Sequence, residues 1–390
     1  MELNDLIREL QPRITALRRE LHANPELAFA EQRTSDLVAR HLEALGVEVH
    51  RGLASTGVVA TIKAGSSGRA IGLRADMDAL PLDELNEFPH RSTQAGRMHA
   101  CGHDGHTAML LGAAEVLSAR RQFDGTVHLI FQPGEEGGSG GRVMIEQGLF
   151  ERFPMGMVFG LHNWPGMPAA TIAVREGPVM AGGDTFEIVV TGRGGHAAMP
   201  HLADDTVVAG SAIVQALQSL VARKVDPVRA AVVSIARFQA GSANNVLPET
   251  AVLGGTMRYL DPGMRQLLLD GLHRVTAGVA AAHGVRAEVR LRCGYPPTVN
   301  HPTPSAHGVA AATAAVGRER VVVTYDPTMG SEDFSFLAQT VPGCYVWLGS
   351  APERGGHMLH SPHYDFNDEI IPTAIRYWVS LVERALAPSE

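Results

Sequence analysis

The sequence predicts an α/β fold: a catalytic domain on a mostly parallel sheet with helices on both faces, plus an inserted ferredoxin-like α+β domain serving as lid and dimerisation unit. Three observations carry this. Short β-rich runs alternate with helical periodicity up to about Gly183, the order then becomes β-α-β-β-α-β, and the first pattern resumes after Pro302. The expected domains are residues 1–182 with 293–390, and an insert at 183–292 of a common domain size.

Leu6, Leu10, Ile14, Leu17 and Leu21 recur at helical spacing until Pro25, and Thr34 to Leu45 forms a second amphipathic helix stopped by Gly46. Val58 to Ile62, Ile71 to Ala75, Val127 to Phe131 and Met157 to Leu161 are β-rich, and Thr107 to Ser118 between two of them reads as a buried helix. In the insert, Asp184 to Thr191, Ala231 to Ala236, Ala251 to Tyr259 and Arg286 to Leu291 read as strands, and Ala203 to Val221 and Pro262 to Ala282 as helices. A helix over His307 to Val316 and strands Val321 to Thr324 and Cys344 to Leu348 complete the first domain.

With 390 residues, 45% hydrophobic and 19% charged, the chain has the composition of an ordinary globular protein with room for two cores. A net charge of −8, with Lys limited to Lys63 and Lys224, argues against nucleic acid as a partner. Cys101, Cys293 and Cys344 lie far apart, so no disulfide framework is expected. The acidic, amphipathic start does not read as a signal peptide, and Val275 to Val285 and Val309 to Val316 are too short to span a bilayer. No membrane association and a cytoplasmic location are the default expectations.

Chemistry concentrates just beyond the strands. Asp76 and Asp78 follow Ile71 to Ala75, Glu135 and Glu136 follow Val127 to Phe131, and His162 follows Met157 to Leu161. Functional residues of open α/β sheets gather at such carboxyl ends. The densest stretch is Met98-His99-Ala100-Cys101-Gly102-His103-Asp104-Gly105-His106, and His360 stands before Pro362. Thiol, imidazole and paired carboxylates are what a divalent transition metal selects. Taken singly, Cys-x-His is more often a buried Cys beside surface histidines, an acidic pair is usually solvated, and a lone His is usually structural. A Cys-His nucleophile pair is disfavoured because cysteine hydrolases draw their His from a distant position. A metal-binding scaffold without turnover remains the other alternative, and a second carboxylate beside the ligands argues against it.

These motifs resemble the metallo-amidohydrolases of the aminoacylase and carboxypeptidase G family, in the branch of hippurate hydrolases, N-acyl-amino-acid amidohydrolases and auxin-conjugate hydrolases. The resemblance runs from Arg18-Arg19-Glu20-Leu21-His22 through Leu73 to Pro81, Gly194 to His201 and Gly330 to Phe334, ending at Tyr364-Asp365-Phe366-Asn367. It implies two divalent metal ions per subunit, zinc or manganese first and cobalt or nickel next, held by Cys101, His103, Glu136, His162 and His360, with Cys101 bridging. It further implies Glu135 as general base, Asp78 orienting the site, His196 polarising the scissile carbonyl across a homodimer interface, and Asn245 with Arg258 binding the substrate α-carboxylate. Relatives in other branches carry His-x-Asp where this chain has Asp76-Met77-Asp78, so His103 is expected to supply the compensating ligand. The implied reaction is hydrolysis of N-acyl amino acids such as hippurate; a dipeptidase or carboxypeptidase-like activity is the alternative.

Overall fold

The computed structural model describes residues 2–351 and 356–388. The chain divides into two compact units, Met1–Val179 with Val299–Asp326 and Asp333–Glu390, and Met180–Thr298 with Pro327–Glu332. The second unit therefore extends beyond the expected 183–292 and takes in a distant hexapeptide. The reason is hydrogen bonding: Ala181 N–H reaches Thr328 O and Gly330 O, and Arg258 reaches the Ser331 hydroxyl.

The first unit opens with α1 (Leu3–Ala23) and α2 (Gln32–Ala44), followed by β1 (Glu48–Leu53), β2 (Gly57–Ala64), β3 (Ala70–Asp76), α3 (His103–Arg120), β4 (Gly125–Gln132) and β5 (Met157–Pro168). Its eight-stranded sheet runs β1-β2-β4-β3-β5, then Gly343–Ala351, Ile172–Ala173 and Val321–Val322. The four central strands, β4, β3, β5 and Gly343–Ala351, are parallel. β1 and β2 are antiparallel additions. The strand expected over Val321 to Thr324 is only two residues long, because Val323 and Thr324 are exposed.

β3 and β4 are buried almost throughout, as strands covered on both faces must be. Phe159 and Leu161 of β5 join the large core that also contains α3. Gly160, which points the other way, faces Phe334 of the helix Phe334–Thr340. α3 is buried from His103 to Leu117 and lacks an apolar stripe because every side is enclosed. Glycines make that close approach possible: a Cβ on Gly105 would lie 2.1 Å from the Phe366 ring. Helix Ile371–Ala385 packs on α3 and is not among the elements expected from sequence.

The second unit holds β6 (Gly182–Thr191), α4 (Thr206–Lys224), β7 (Ala231–Ala240), β8 (Thr250–Tyr259), α5 (Pro262–Ala282) and β9 (Arg286–Cys293). Its strands pair antiparallel in the order β7-β8-β6-β9. This is the split β-α-β-β-α-β arrangement, with β7 and β9 as free edges. Among the described residues, α4 is the one helix long and apolar enough to cross a membrane. Its Ala209, Ile213, Leu217 and Leu220 are buried in this unit's own core.

Candidate metal centre

The start of α3, the end of β4, the middle of β5 and the turn at His360 bring the donors of the first unit together. Gly102, at φ +93°, makes the turn between Cys101 and the start of α3; a Cβ there would lie 2.3 Å from Asn163 Oδ1. His360 also adopts a left-handed backbone, φ +66°, and its N–H is anchored on Ala100 O at 2.7 Å, next to Cys101.

The imidazoles are oriented like metal ligands. His103 Nδ1 lies 2.9 Å from Asp78 O, and His162 Nδ1 lies 2.8 Å from Asn163 O. A carbonyl can only accept, so both rings carry a proton on Nδ1 and turn Nε2 inward. His103 Nε2 is buried with no hydrogen-bond partner. His162 Nε2 stands 3.4 Å from Cys101 Sγ. A tetrahedral ion bonded to one thiolate and one imidazole separates those atoms by about 3.5 Å.

The donors form two groups, Cys101 with His103 and His162, and Cys101 with Glu136 and His360, each with its atoms within 4.8 Å of one another. Cys101 belongs to both. A third group joins His103 to Glu135 and Glu136. Asp78 contributes differently: its carboxylate accepts Glu135 N–H at 3.0 Å and Glu136 N–H at 2.9 Å, fixing the turn that carries both acids. Glu135 is 6% exposed, and one of its oxygens accepts Asp333 N–H at 3.3 Å.

The electrostatics fit a cation. Burial, with Glu136 adding to it, pushes the Cys101 thiol above its ordinary value. Hydrogen bonds to Cys101 and Glu136 lift His360 to about 10, favouring the imidazolium in the absence of metal. Burial and the neighbouring His106 hold His162 well below the usual imidazole value, in the neutral form a metal requires. A divalent ion among these groups would reverse the thiol's preference.

The structure also gives contacts to residues for which the sequence reading proposed no role. Asp76 bonds His106 Nδ1 at 2.6 Å and Arg74 at 2.7 Å; His106 Nε2 meets Asn163 Oδ1 at 2.7 Å, and the Asn163 amide donates to the Tyr364 hydroxyl at 2.7 Å. This buried chain braces the part of β5 that bears His162. Against burial, His103, Arg74 and His106 hold Asp76 well below the usual carboxylate range. His99 lies outside all the donor groups; burial lowers it to about 4.

The second unit carries the remaining candidates in two places. His196 pairs with Val246 in a two-residue ladder, Ala197 N–H donates to Asn245 O at 3.0 Å, and His196 and Asn245 line one pocket with Pro248 and Glu249. His196 Nδ1 accepts Ala198 N–H at 3.0 Å, which leaves Nε2–H of the neutral ring free to donate. Arg258 sits near the far end of β8, opposite Gly183, and donates to the Ser331 hydroxyl. Thr250, at the end nearest Asn245, is eight residues away, or roughly 27 Å along an extended strand. Within one chain, Asn245 therefore lies beside His196 and away from Arg258.

The sequence matches the model of Peptidase family M20/M25/M40 over residues 72–384. It is 39% identical to the hippurate hydrolase of Campylobacter jejuni, over 99% of this chain and 100% of that one. It is also 39% identical to the N-acetylcysteine deacetylase of Bacillus subtilis, over 95% and 96%. Among solved structures, the YXEP protein of Bacillus subtilis, a dinuclear metal-binding peptidase from the M20 family, superimposes with a TM-score of 0.85 at 36% identity, covering 97% of this chain and 99% of that one. The chain belongs to peptidase family M20/M25/M40.

Proposed function

We propose that this protein hydrolyses the amide bond of N-acyl amino acids, releasing a carboxylic acid and a free amino acid. Two divalent metal ions would be held by Cys101, His103, Glu136, His162 and His360. The observation that carries the reading is Cys101, shared by two donor groups with Glu135 beside them. The Cys and His content favours zinc, while the carboxylates also admit manganese, cobalt or nickel. When bound, such a metal pair polarises an amide carbonyl and acidifies water near neutral pH.

The chain's own groups do the rest. Glu135, held by Asp78 and Asp333, takes the proton of the attacking water and returns it to the departing nitrogen. His196 Nε2–H donates to the oxygen on which charge develops. Arg258 presents a planar guanidinium to the substrate carboxylate. Because Arg258 and the His196–Asn245 pair lie far apart in one chain, we assign the latter to the site of a second copy, which makes the working unit a homodimer. The free edge of β7 supports this, with Phe238 exposed on it and Val207 and Val208 exposed on α4.

The test compares benzoylglycine with benzoylglycinamide, with a simple dipeptide as the peptidase control. The acid should be cleaved roughly 10²-fold better in kcat/KM than the amide, because a guanidinium left unpaired is costly. Arg258→Ala should erase most of that preference at unchanged metal content. Equal cleavage of acid and amide by the wild type would point to a general amidase, and preference for the dipeptide to a peptidase.

A further inference from the structure

Glu135 and Glu136 stand on a turn that does not sustain itself. Gly134 (φ +64°) and Gly137 (φ +78°) are left-handed, Glu136 is non-helical, and the N–H groups of residues 134–136 point away from any regular ladder. All three donors are taken by two buried carboxylates. Asp78 accepts from Glu135 and Glu136, and Glu31 accepts from Gly134 N–H at 2.9 Å. Glu31 is fully buried, and its other oxygen accepts the Thr56 hydroxyl at 2.7 Å.

Glu31 ends a strap, Glu26–Glu31, that links both sides of the centre. Ala79 N–H donates to Glu26 O at 2.8 Å, and Leu27 bridges Ala79, directly after Asp78. Phe29 takes a left-handed backbone, φ +63°, which a non-glycine residue adopts only when its surroundings hold it there. Its ring lies on the base turn: a Cβ built on Gly134 would sit 3.0 Å from the ring, and one on Gly138 2.8 Å. A single segment thus touches the turn that ends in Asp78 and the turn that begins Glu135.

We infer that Glu31 is a positioning residue for Glu135, fixing the base through the Gly134 N–H, with the Glu26–Glu31 strap setting the spacing between the Asp78 and Glu135 turns. The kinetic part of this inference rests on the reading of Glu135 as general base; the structural part does not. Burial pushes the Glu31 carboxyl up to about 7, with the Thr56 hydrogen bond opposing and Asp78 adding to the rise. The clamp needs an acceptor rather than a charge. A neutral acid still offers one oxygen to Gly134 while turning its proton to the Thr56 oxygen, and a glutamine does the same with its amide.

The experiment uses the metal-loaded enzyme with Glu31→Ala, Glu31→Gln and Thr56→Val. Three readouts are kinetics on benzoylglycine, metal stoichiometry, and amide hydrogen exchange at residues 134–136. In Glu31→Ala, kcat should fall roughly 10-fold or more, since small misplacements of a catalytic group are felt strongly. KM and metal content should stay near wild type, and the three amides should exchange faster. Glu31→Gln should restore both kcat and protection to within about threefold, because it keeps the acceptor. Thr56→Val, which leaves Glu31 in place but unoriented, should show the same pattern more weakly and carries the test if Glu31→Ala does not fold. Unchanged exchange in these variants would overturn the clamp whatever Glu135 does. So would a Glu31→Gln variant as impaired as Glu31→Ala, or a loss of metal in step with turnover. If Glu135→Gln kept wild-type turnover, the base assignment and the kinetic role of Glu31 would fall together, while the exchange result would still decide the clamp.

Discussion

In the first unit, Cys101, His103, Glu135, Glu136 and His162 lie in one cluster, and the turns and rings that present them are held by hydrogen bonds to Asp78 and Asn163 and from Asp333 N–H. In the second, His196 lies on a two-residue ladder with exposed Asn245 just before its partner strand, and Arg258 sits near the far end of β8. The contrast separates two kinds of incompleteness. In the proposed function the first region is completed by ions alone, because one chain supplies each donor named for it. In the proposed function the second is completed by another copy of the chain, because Arg258 stands near the end of β8 away from Asn245.

The largest expected effect lies in the first region. Glu135→Gln removes the proton acceptor without removing a donor common to the two Cys101 groups, so kcat should fall by about 10²–10⁴ at near-normal metal content. Near-wild-type kcat with full metal would end the assignment. Cys101→Ala should behave differently, lowering metal occupancy and activity together, since Cys101 stands in both groups. Full activity in that variant would remove the thiol from the centre.

The second region is tested by mixing. If His196 of one copy serves the site of the other, then His196→Ala and Glu135→Gln proteins, each nearly inactive, should regain about a quarter of wild-type activity on random reassociation: half the dimers are mixed, and one site in each is intact. The assay is turnover before and after mixing at a concentration where subunits exchange. No recovery, with mixed dimers demonstrated, would break the comparison by returning His196 to its own chain.

The same contrast explains what could be read from the sequence. Donors of the first region fall in short runs after apolar strands, Cys101-Gly102-His103 and Glu135-Glu136 among them, so strand placement and ligand chemistry together pointed to one site. The braces were less visible. His106, Asn163, Tyr364 and Glu31 act through contacts between residues tens to hundreds of positions apart, and a lone buried polar residue leaves no periodic trace. Helix Ile371–Ala385 carries an apolar stripe but no residue of the metal cluster, so the motifs do not announce it. The grouping of Asn245 with His196 depends on the His196–Val246 register, which a two-residue strand does not announce.

The smallest effect expected concerns stability, and it too divides the units. His22 of α1 is buried, 2.8 Å from Asp104 at the start of α3 and 3.2 Å from Glu84. Burial disfavours its charge, but Asp104 and Glu84 outweigh burial and raise it to about 9. A histidine whose folded value lies above the unfolded one, about 6.5, contributes stability that is complete below that pH and lost as pH rises through about 9. The second unit's buried lock joins Asp184 to Arg265 at 2.8 Å and to the Tyr259 hydroxyl at 3.1 Å, and both partners have raised values that keep them protonated over the same interval. Thermal unfolding of metal-free protein between pH 6.5 and 9.5 should therefore show the first unit's transition falling by several degrees while the second's holds. Removing metal matters, because metal binding strengthens as pH rises and would oppose the trend. His22→Gln should start lower and fall less steeply, the remaining slope coming from His360, whose raised value adds a loss of the same sign. A parallel fall of both units, or an unchanged slope in His22→Gln, would assign the pH dependence to some group other than this pair.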